Sequence, residues 1–245
     1  FLLFDWLGVD DLVKYERFAE HSRETFDAVL DLSAAIAGKC FAPHNKKCDQ
    51  SAPSVGADGT VVLIDEIKDA LDTFGEAGLM AGAFDEALGG MGLPTVVAQA
   101  SMTFFRAANP SITSYAFLTV GNANLLVEYG TDEQIDTWVR PMLEGRFFGT
   151  MCLSEPDAGS SLADITTRAV PAADGTYRIT GTKMWITGGD HELSENIVHL
   201  VLAKAPGGGP GVKGISLFIV PKFLPDGTRN DVALVSLNHK MGNHA

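Results

Sequence analysis

Apolar residues in the first half of the chain recur at three- and four-residue intervals, the spacing of one helix face. In TVVLIDEIKDALDTFGEAG, Ile67, Ala70, Leu71 and Phe74 fall at i, i+3, i+4 and i+7. Phe26, Val29, Leu30 and Ser33 repeat that spacing in an earlier segment. GTDEQIDTWVRPMLEG opens on Thr131 with Gln134 three residues on, the pattern of a capping box at a helix start. Pro141 predicts an end or a kink, since it has no N–H for the helix ladder. Gly-containing breaks separate these helices, and EALGGMGLP at 86–94 reads as a helix–helix turn.

After about residue 145 the period shifts toward two. TTRAVPAADGTYRIT is two strand-like runs around Asp174-Gly175, a hairpin signal. KMWIT, NIVHLVLAK and GISLFIVPKF follow, β-branched or aromatic and bounded by Gly, Pro or polar residues, and each predicts a strand. The pattern therefore predicts an α+β chain. An all-α helical domain over 1–145 precedes a domain of short, mostly antiparallel strands over 146–245.

Composition agrees with a folded chain. Of 245 residues, 46% are hydrophobic and 20% charged, enough to build a sizeable core. The net charge of −13 argues against an electrostatic grip on nucleic acid or on an anionic membrane, and any phosphate on a substrate needs local compensation. Cys40, Cys48 and Cys152 form no CxxC and no metal spacing, and an odd count without a framework suits a reducing, cytoplasmic compartment. No apolar run is long enough for an integral membrane span. Asp5, Asp10 and Asp11 stand where a signal peptide needs a basic start. The start at Phe1 and the stop after HKMGNHA read as a piece of a longer protein.

One motif match fails on context, and other chemistry-bearing patterns are missing. Gly209-Pro210-Gly211-Val212-Lys213-Gly214 satisfies G-x-G-x-x-G, yet the motif must leave a strand and open a helix whose amides hold a pyrophosphate. Here ISLFIV follows, a strand pattern, and Pro210 removes one amide. The six histidines are scattered without a ligand pattern, so no metal site is predicted. No G-x-S-x-G elbow is present.

The stretch FFGTMCLSEPDAGSS is harder to dismiss. A strand pattern breaks at Ser154 into Glu155-Pro156-Asp157-Ala158-Gly159-Ser160. Those are common turn residues. They are also small residues that let a large ligand reach backbone N–H groups and hydroxyls.

MCLSEPDAGSS is followed about two dozen residues later by YRITGTKMWITGG. Together they resemble the two flavin-contacting segments of the acyl-CoA dehydrogenase family. The resemblance extends over GLMAGAFDEALGGMGLP, the run YGTDEQIDTWVRPMLEGRFFGTMCLSEPDAGS and the closing HKMG. Within the family, GGDHELSENIVHLVLAK and GVKGISLFIVPKFLPDG look most like a larger bacterial branch associated with long-chain and methylthiopropionyl-type acyl-CoA substrates.

The resemblance implies a β-barrel-like second domain, FAD as cofactor and removal of hydrogen across the α,β bond of an acyl-CoA. A carboxylate takes the α-proton while the β-hydride passes to flavin N5. Met151, Cys152, Leu153 and Ser154 match the first flavin segment, Leu153 and Ser154 offering backbone groups and a hydroxyl to the ring. Gly159 and Ser160 match positions that meet the FAD phosphates, and Ser160 also touches substrate. Trp185, Ile186 and Thr187 match the second segment, with Trp185 against the ring system and Thr187 toward N5. Glu155 and Pro156 are expected to shape the loop. Asp157, Ser161 and Gly188 depart from the commoner family residues.

By the same resemblance the catalytic Glu lies in a C-terminal helical domain beyond Ala245, so no catalytic residue is assigned within the chain. This piece alone is expected to be inactive and to hold FAD weakly. An electron-transfer flavoprotein as acceptor and a homodimer or dimer of dimers are also implied. Two alternatives stay open. One is an acyl-CoA oxidase reoxidised by O2, and the other a non-catalytic scaffold relative.

Overall fold

The computed structural model describes residues 1–245. Its helical half comprises α1 (Arg23–Ile36), α2 (Asn45–Gln50), α3 (Glu66–Glu76), α4 (Thr95–Ala108), α5 (Pro110–Tyr129), α6 (Asp132–Gln134) and α7 (Arg140–Leu143). Ile67, Ala70, Leu71 and Phe74 are all buried on α3, as their spacing predicts. The α3 face meets Phe41 and Phe105, and Phe41, Phe74 and Phe105 form a three-ring cluster with edge-on contacts of 4.8–6.4 Å between centroids. Each fully buried ring contributes on the order of 1.5–3 kcal/mol, which makes this trio the anchor of the helical core.

The helical half is not purely helical. Val61 and Val62, within the half expected to be all-α, form strand β2 (Val61–Val62), which pairs antiparallel with β1 (Ser54–Val55). The helix starts only at Glu66, because Asp58 and Gly59 close a tight turn just before β2. Asp58 Oδ1 accepts from the Thr60 N–H and hydroxyl, and Gly59 sits at φ 84°. The Thr131–Gln134 capping box forms in both directions. Pro141 neither ends nor breaks the helix. A π-turn over Ile135–Val139 precedes it, so its missing N–H falls where the ladder changes register.

The second half is one open sheet of β3 (Phe147–Cys152), β4 (Arg168–Pro171), β5 (Tyr177–Thr180), β6 (Asn196–Lys204) and β7 (Ile215–Pro221). β6 is central, parallel to β3 on one side and antiparallel to β7 on the other. β4 meets the end of β6 at Arg168–Lys204 and forms the expected hairpin with β5, turning at Asp174-Gly175. The sheet is mixed rather than mostly antiparallel: β4–β5 and β6–β7 are antiparallel, whereas β3–β6 and the short β4–β6 contact are parallel, β3 and β6 because a long connection rather than a tight turn joins them. The sheet does not close into a barrel. β5 and β7 touch through Tyr177 and Phe218, ring centroids 5.0 Å apart, without a backbone ladder between them.

KMWIT is not a strand. Met184 gives its N–H to Ser154 O at 3.0 Å, and Trp185 turns to φ 61°, a left-handed conformation that no strand permits.

α5 lies across β3 and joins the two halves. Thr119 Oγ1 accepts the Gly149 N–H at 3.0 Å, and Asn122 Nδ2 donates to Val198 O at 2.8 Å and Thr150 O at 3.3 Å. A Cβ at Gly149 would stand 2.6 Å from Asn122 Cβ, so only glycine permits this approach. Ala123, Leu126, Val139, Met142, Val198 and Leu200 form one buried cluster across that seam.

Candidate functional site

β3 delivers the chain into the Ser154–Ser160 loop, where a turn is fastened from below. Glu155 N–H donates to Ala158 O at 2.7 Å and Ala158 N–H returns to Glu155 O at 3.2 Å. The Glu155 side chain points inward and is 4% exposed. Its Oε2 accepts from the Thr166 N–H and hydroxyl at 2.6 and 2.8 Å, and its Oε1 from the Thr167 N–H at 3.1 Å. Lys183, from the second segment, donates to Glu155 Oε1 at 2.8 Å and to Leu153 O at 3.0 Å. Burial pushes the Glu155 carboxyl upward. The Lys183 and threonine hydrogen bonds outweigh that and hold it well below the ordinary carboxylate range.

Two segments about 30 residues apart in sequence therefore meet through one buried ion pair and the Met184–Ser154 backbone bond. Beyond them the chain turns through Gly188 at φ 62°. A Cβ there would stand 3.2 Å from Tyr115 Cδ1. Asp190, His191 and Glu192 are then gripped by Lys222 from the end of β7. Lys222 Nζ donates to His191 O at 2.7 Å and Glu192 Oε1 at 2.6 Å, and lies 2.9 Å from Asp190 Oδ1. Arg229 Nη2 is 3.7 Å from Asp190 Oδ2.

His191 packs edge-on to Tyr115 and Phe148, and His199 Nδ1 lies 2.7 Å from Thr150 Oγ1. Burial, reinforced by Lys222, pushes His191 down to about 3. Burial also pushes His199 down to about 4, and both imidazoles are neutral near pH 7. His191 Nδ1 accepts the Leu193 N–H, which places its proton on Nε2, a buried atom with no partner. Tyr115 is buried, which raises its hydroxyl far above the ordinary phenol value.

A cleft of about 1890 Å³ opens beside these elements, lined among others by Thr167, Lys183, Trp185, Asp190, His199 and Lys222. Of the residues predicted from sequence, Cys152, Trp185 and Ile186 line it. Met151, Leu153, Ser154, Gly159, Ser160 and Thr187 lie outside its lining. Cys152 is buried under β3 and Met151 packs toward the seam cluster, so both serve the strand with their side chains. Ser154 and Thr187 are half-buried, and Gly159 and Ser160 are exposed on the loop. Trp185 is 56% exposed, which excludes a role as a core aromatic. Glu155 shapes the loop, as expected. Lys222, Asp190 and His191 escaped the sequence reading. Lys222 lies more than 30 residues from the second segment, and no local pattern announces the contact.

The helical layer followed by a sheet-containing half is an architecture shared with acyl-CoA dehydrogenases of known structure. Residues 24–146 match the acyl-CoA dehydrogenase N-terminal domain and residues 150–245 the acyl-CoA dehydrogenase middle domain, and the chain belongs to the acyl-CoA dehydrogenase family. It is 39% identical to a 3-methylmercaptopropionyl-CoA dehydrogenase of Ruegeria pomeroyi, over 98% of this chain and 41% of that protein. A broad-specificity linear acyl-CoA dehydrogenase of Mycobacterium tuberculosis is also 39% identical, over 99% of this chain and 41% of its own length. The chain thus spans about two fifths of the curated relatives it matches. Among solved structures, an acyl-CoA dehydrogenase of Bacillus anthracis complexed with FAD superposes with a TM-score of 0.67 at 25% identity, covering 83% of this chain and 32% of that one. One described as an electron transferring flavoprotein of Acidaminococcus fermentans gives 0.73 at 27%, covering 92% and 53%. No helix is long and apolar enough to cross a membrane.

Proposed function

We propose that the protein carrying this chain is an FAD-dependent acyl-CoA dehydrogenase, and that Leu153, Ser154, Gly159, Ser160, Trp185, Ile186 and Thr187 form its flavin-side surface. One observation carries this reading. The Leu153, Ser154, Gly159, Ser160, Trp185, Ile186 and Thr187 N–H groups donate to nothing within the chain, and neither do the Ser154, Ser160 and Thr187 hydroxyls. Here they are free on two segments that Lys183 and Glu155 hold together, and a Cβ at Gly159 would meet nothing within 4 Å. That set suits a large ligand rich in acceptors.

FAD, when bound, supplies the hydride acceptor. The residues of this chain bind and orient it. Donors placed before reaction stabilise charge on a flavin edge and a thioester oxygen without reorganising. Trp185 offers a broad apolar face to a ring, and Ser160 stands where substrate also arrives. The proton-abstracting carboxylate is proposed to lie outside residues 1–245. The buried Glu155 is spent on Lys183 and two threonines, so it is not a free base.

The test uses the full-length protein. Co-purification of FAD and anaerobic bleaching of its visible band by an acyl-CoA series support the reading. A full-length protein that binds no FAD ends it. Hydrogen peroxide formed with each turnover would identify an oxidase instead. FAD binding without bleaching by any acyl-CoA would identify a non-catalytic relative.

A further inference from the structure

Trp185 stands at φ 61°, and the one other non-glycine residue with positive φ is Asn243. Asparagine tolerates the left-handed region, whereas a bulky side chain there is strained. Such strain persists only when the surroundings over-determine the conformation. Nothing local does so, because the N–H groups of Trp185, Ile186 and Thr187 make no hydrogen bond within the chain. The restraint comes from both ends.

Before Trp185, Lys183 is tied to Leu153 O and Glu155 Oε1, and the Met184 N–H to Ser154 O. After it, Gly188 packs under Tyr115, and Lys222 grips His191 O, Glu192 and Asp190. The Lys183 and Lys222 side chains are 10% and 4% exposed, so both anchors are shielded from water and from screening. We infer that Lys183 and Lys222 are positioning residues, two buried ammonium anchors that bow the intervening segment and hold the Trp185 ring out over the flavin-side surface. The flavin half of this inference rests on the reading proposed above, and the geometric half does not. Lys222 does the less obvious part, since it reaches the segment from the end of a different strand.

The experiment is fluorine NMR on the full-length protein labelled with fluorotryptophan and freed of flavin. Its resonance for residue 185 is assigned by Trp185→Phe. Wild-type protein is expected to show a single sharp, shifted signal. Lys222→Met, and Lys183→Met combined with Glu155→Gln, are expected to move that signal toward the position of an unfolded chain or to broaden it. If Lys222→Met does not fold, Lys222→Met combined with Asp190→Asn removes both charges together and takes its place. In the same variants FAD affinity is expected to fall by about tenfold or more, while circular dichroism and a cooperative melt remain.

An unchanged residue-185 signal in folded variants of both anchors overturns the inference. A displaced signal with unchanged FAD affinity overturns the positioning role. Failure of the wild-type protein to bind FAD overturns the proposed function alone, because the NMR comparison is made without flavin.

Discussion

The Lys183 ammonium lies 2.8 Å from the Glu155 carboxylate, with 10% and 4% of the two side chains exposed, and this contact joins the loop after β3 to the segment that carries Trp185. An ion pair so placed need not stabilise the fold over an apolar pair of the same shape, but removing one partner strands the other charge. Lys183→Met should therefore cost about 3–5 kcal/mol in denaturant unfolding, and the double variant with Glu155→Gln should cost clearly less. A double-variant loss equal to the sum of the Lys183→Met and Glu155→Gln losses would show that the two side chains are not coupled.

The strain at Trp185 has a direct signature in a pair of substitutions. Trp185→Ala and Trp185→Gly both delete the ring, but only glycine accepts φ 61° freely. The glycine variant should be the more stable of the two by about 1 kcal/mol, read from thermal or denaturant midpoints. An alanine variant equal to or better than glycine would mean that the left-handed conformation is not held in solution.

Two glycines should separate fold from binding. Gly149→Ala drives a methyl to 2.6 Å from Asn122 Cβ at the α5–β3 seam and should destabilise by about 2 kcal/mol or more. Gly159→Ala enters open space and should change stability by less than about 0.5 kcal/mol, while weakening FAD binding in the full-length protein. A Gly159 variant with unaltered flavin affinity would remove that residue from the proposed surface.

Acid should destabilise the protein before its carboxylates titrate. Burial holds His191 near 3 and His199 near 4, against about 6.5 in an unfolded chain. Below about pH 6.5 the unfolded chain takes up protons that the folded one refuses, so stability falls as pH drops from there toward those values. Each histidine contributes up to about 1.4 kcal/mol per pH unit. Glu155 acts lower: its depressed carboxyl contributes stability above the ordinary carboxylate value, and that contribution is lost as pH falls below it. His199→Gln should shrink the stability loss between about pH 7 and pH 5.5, measured as a difference so that any constant cost cancels. An unaltered slope would place the proton uptake elsewhere.

Helices and most strands were legible because each is written in local spacing. Ile67, Ala70, Leu71 and Phe74 share a face at any helix position, and Asp174-Gly175 closes its hairpin with its own backbone and side chain. Rejection of the glycine-rich fingerprint rested on the same logic, and the strand Ile215–Pro221 does follow it directly. KMWIT misled for the opposite reason. Its β-branched and aromatic residues satisfy a strand pattern, but its backbone is claimed by Ser154 and its lysine by Glu155, both from a distant part of the chain.

By itself the sequence determined the helical first half, the central apolar strand at 196–204, the β4–β5 hairpin and the family resemblance carried by two quoted segments, because all of these are encoded by neighbours in the chain. Only the tertiary structure decided that the sheet stays open and that α5 seats on β3 through Asn122 and Gly149. It alone set Trp185 in a left-handed bow between Lys183 and Lys222. Those features depend on buried charges and close approaches between residues tens of positions apart. Their energies exist only once the intervening chain has folded, and no local period records them.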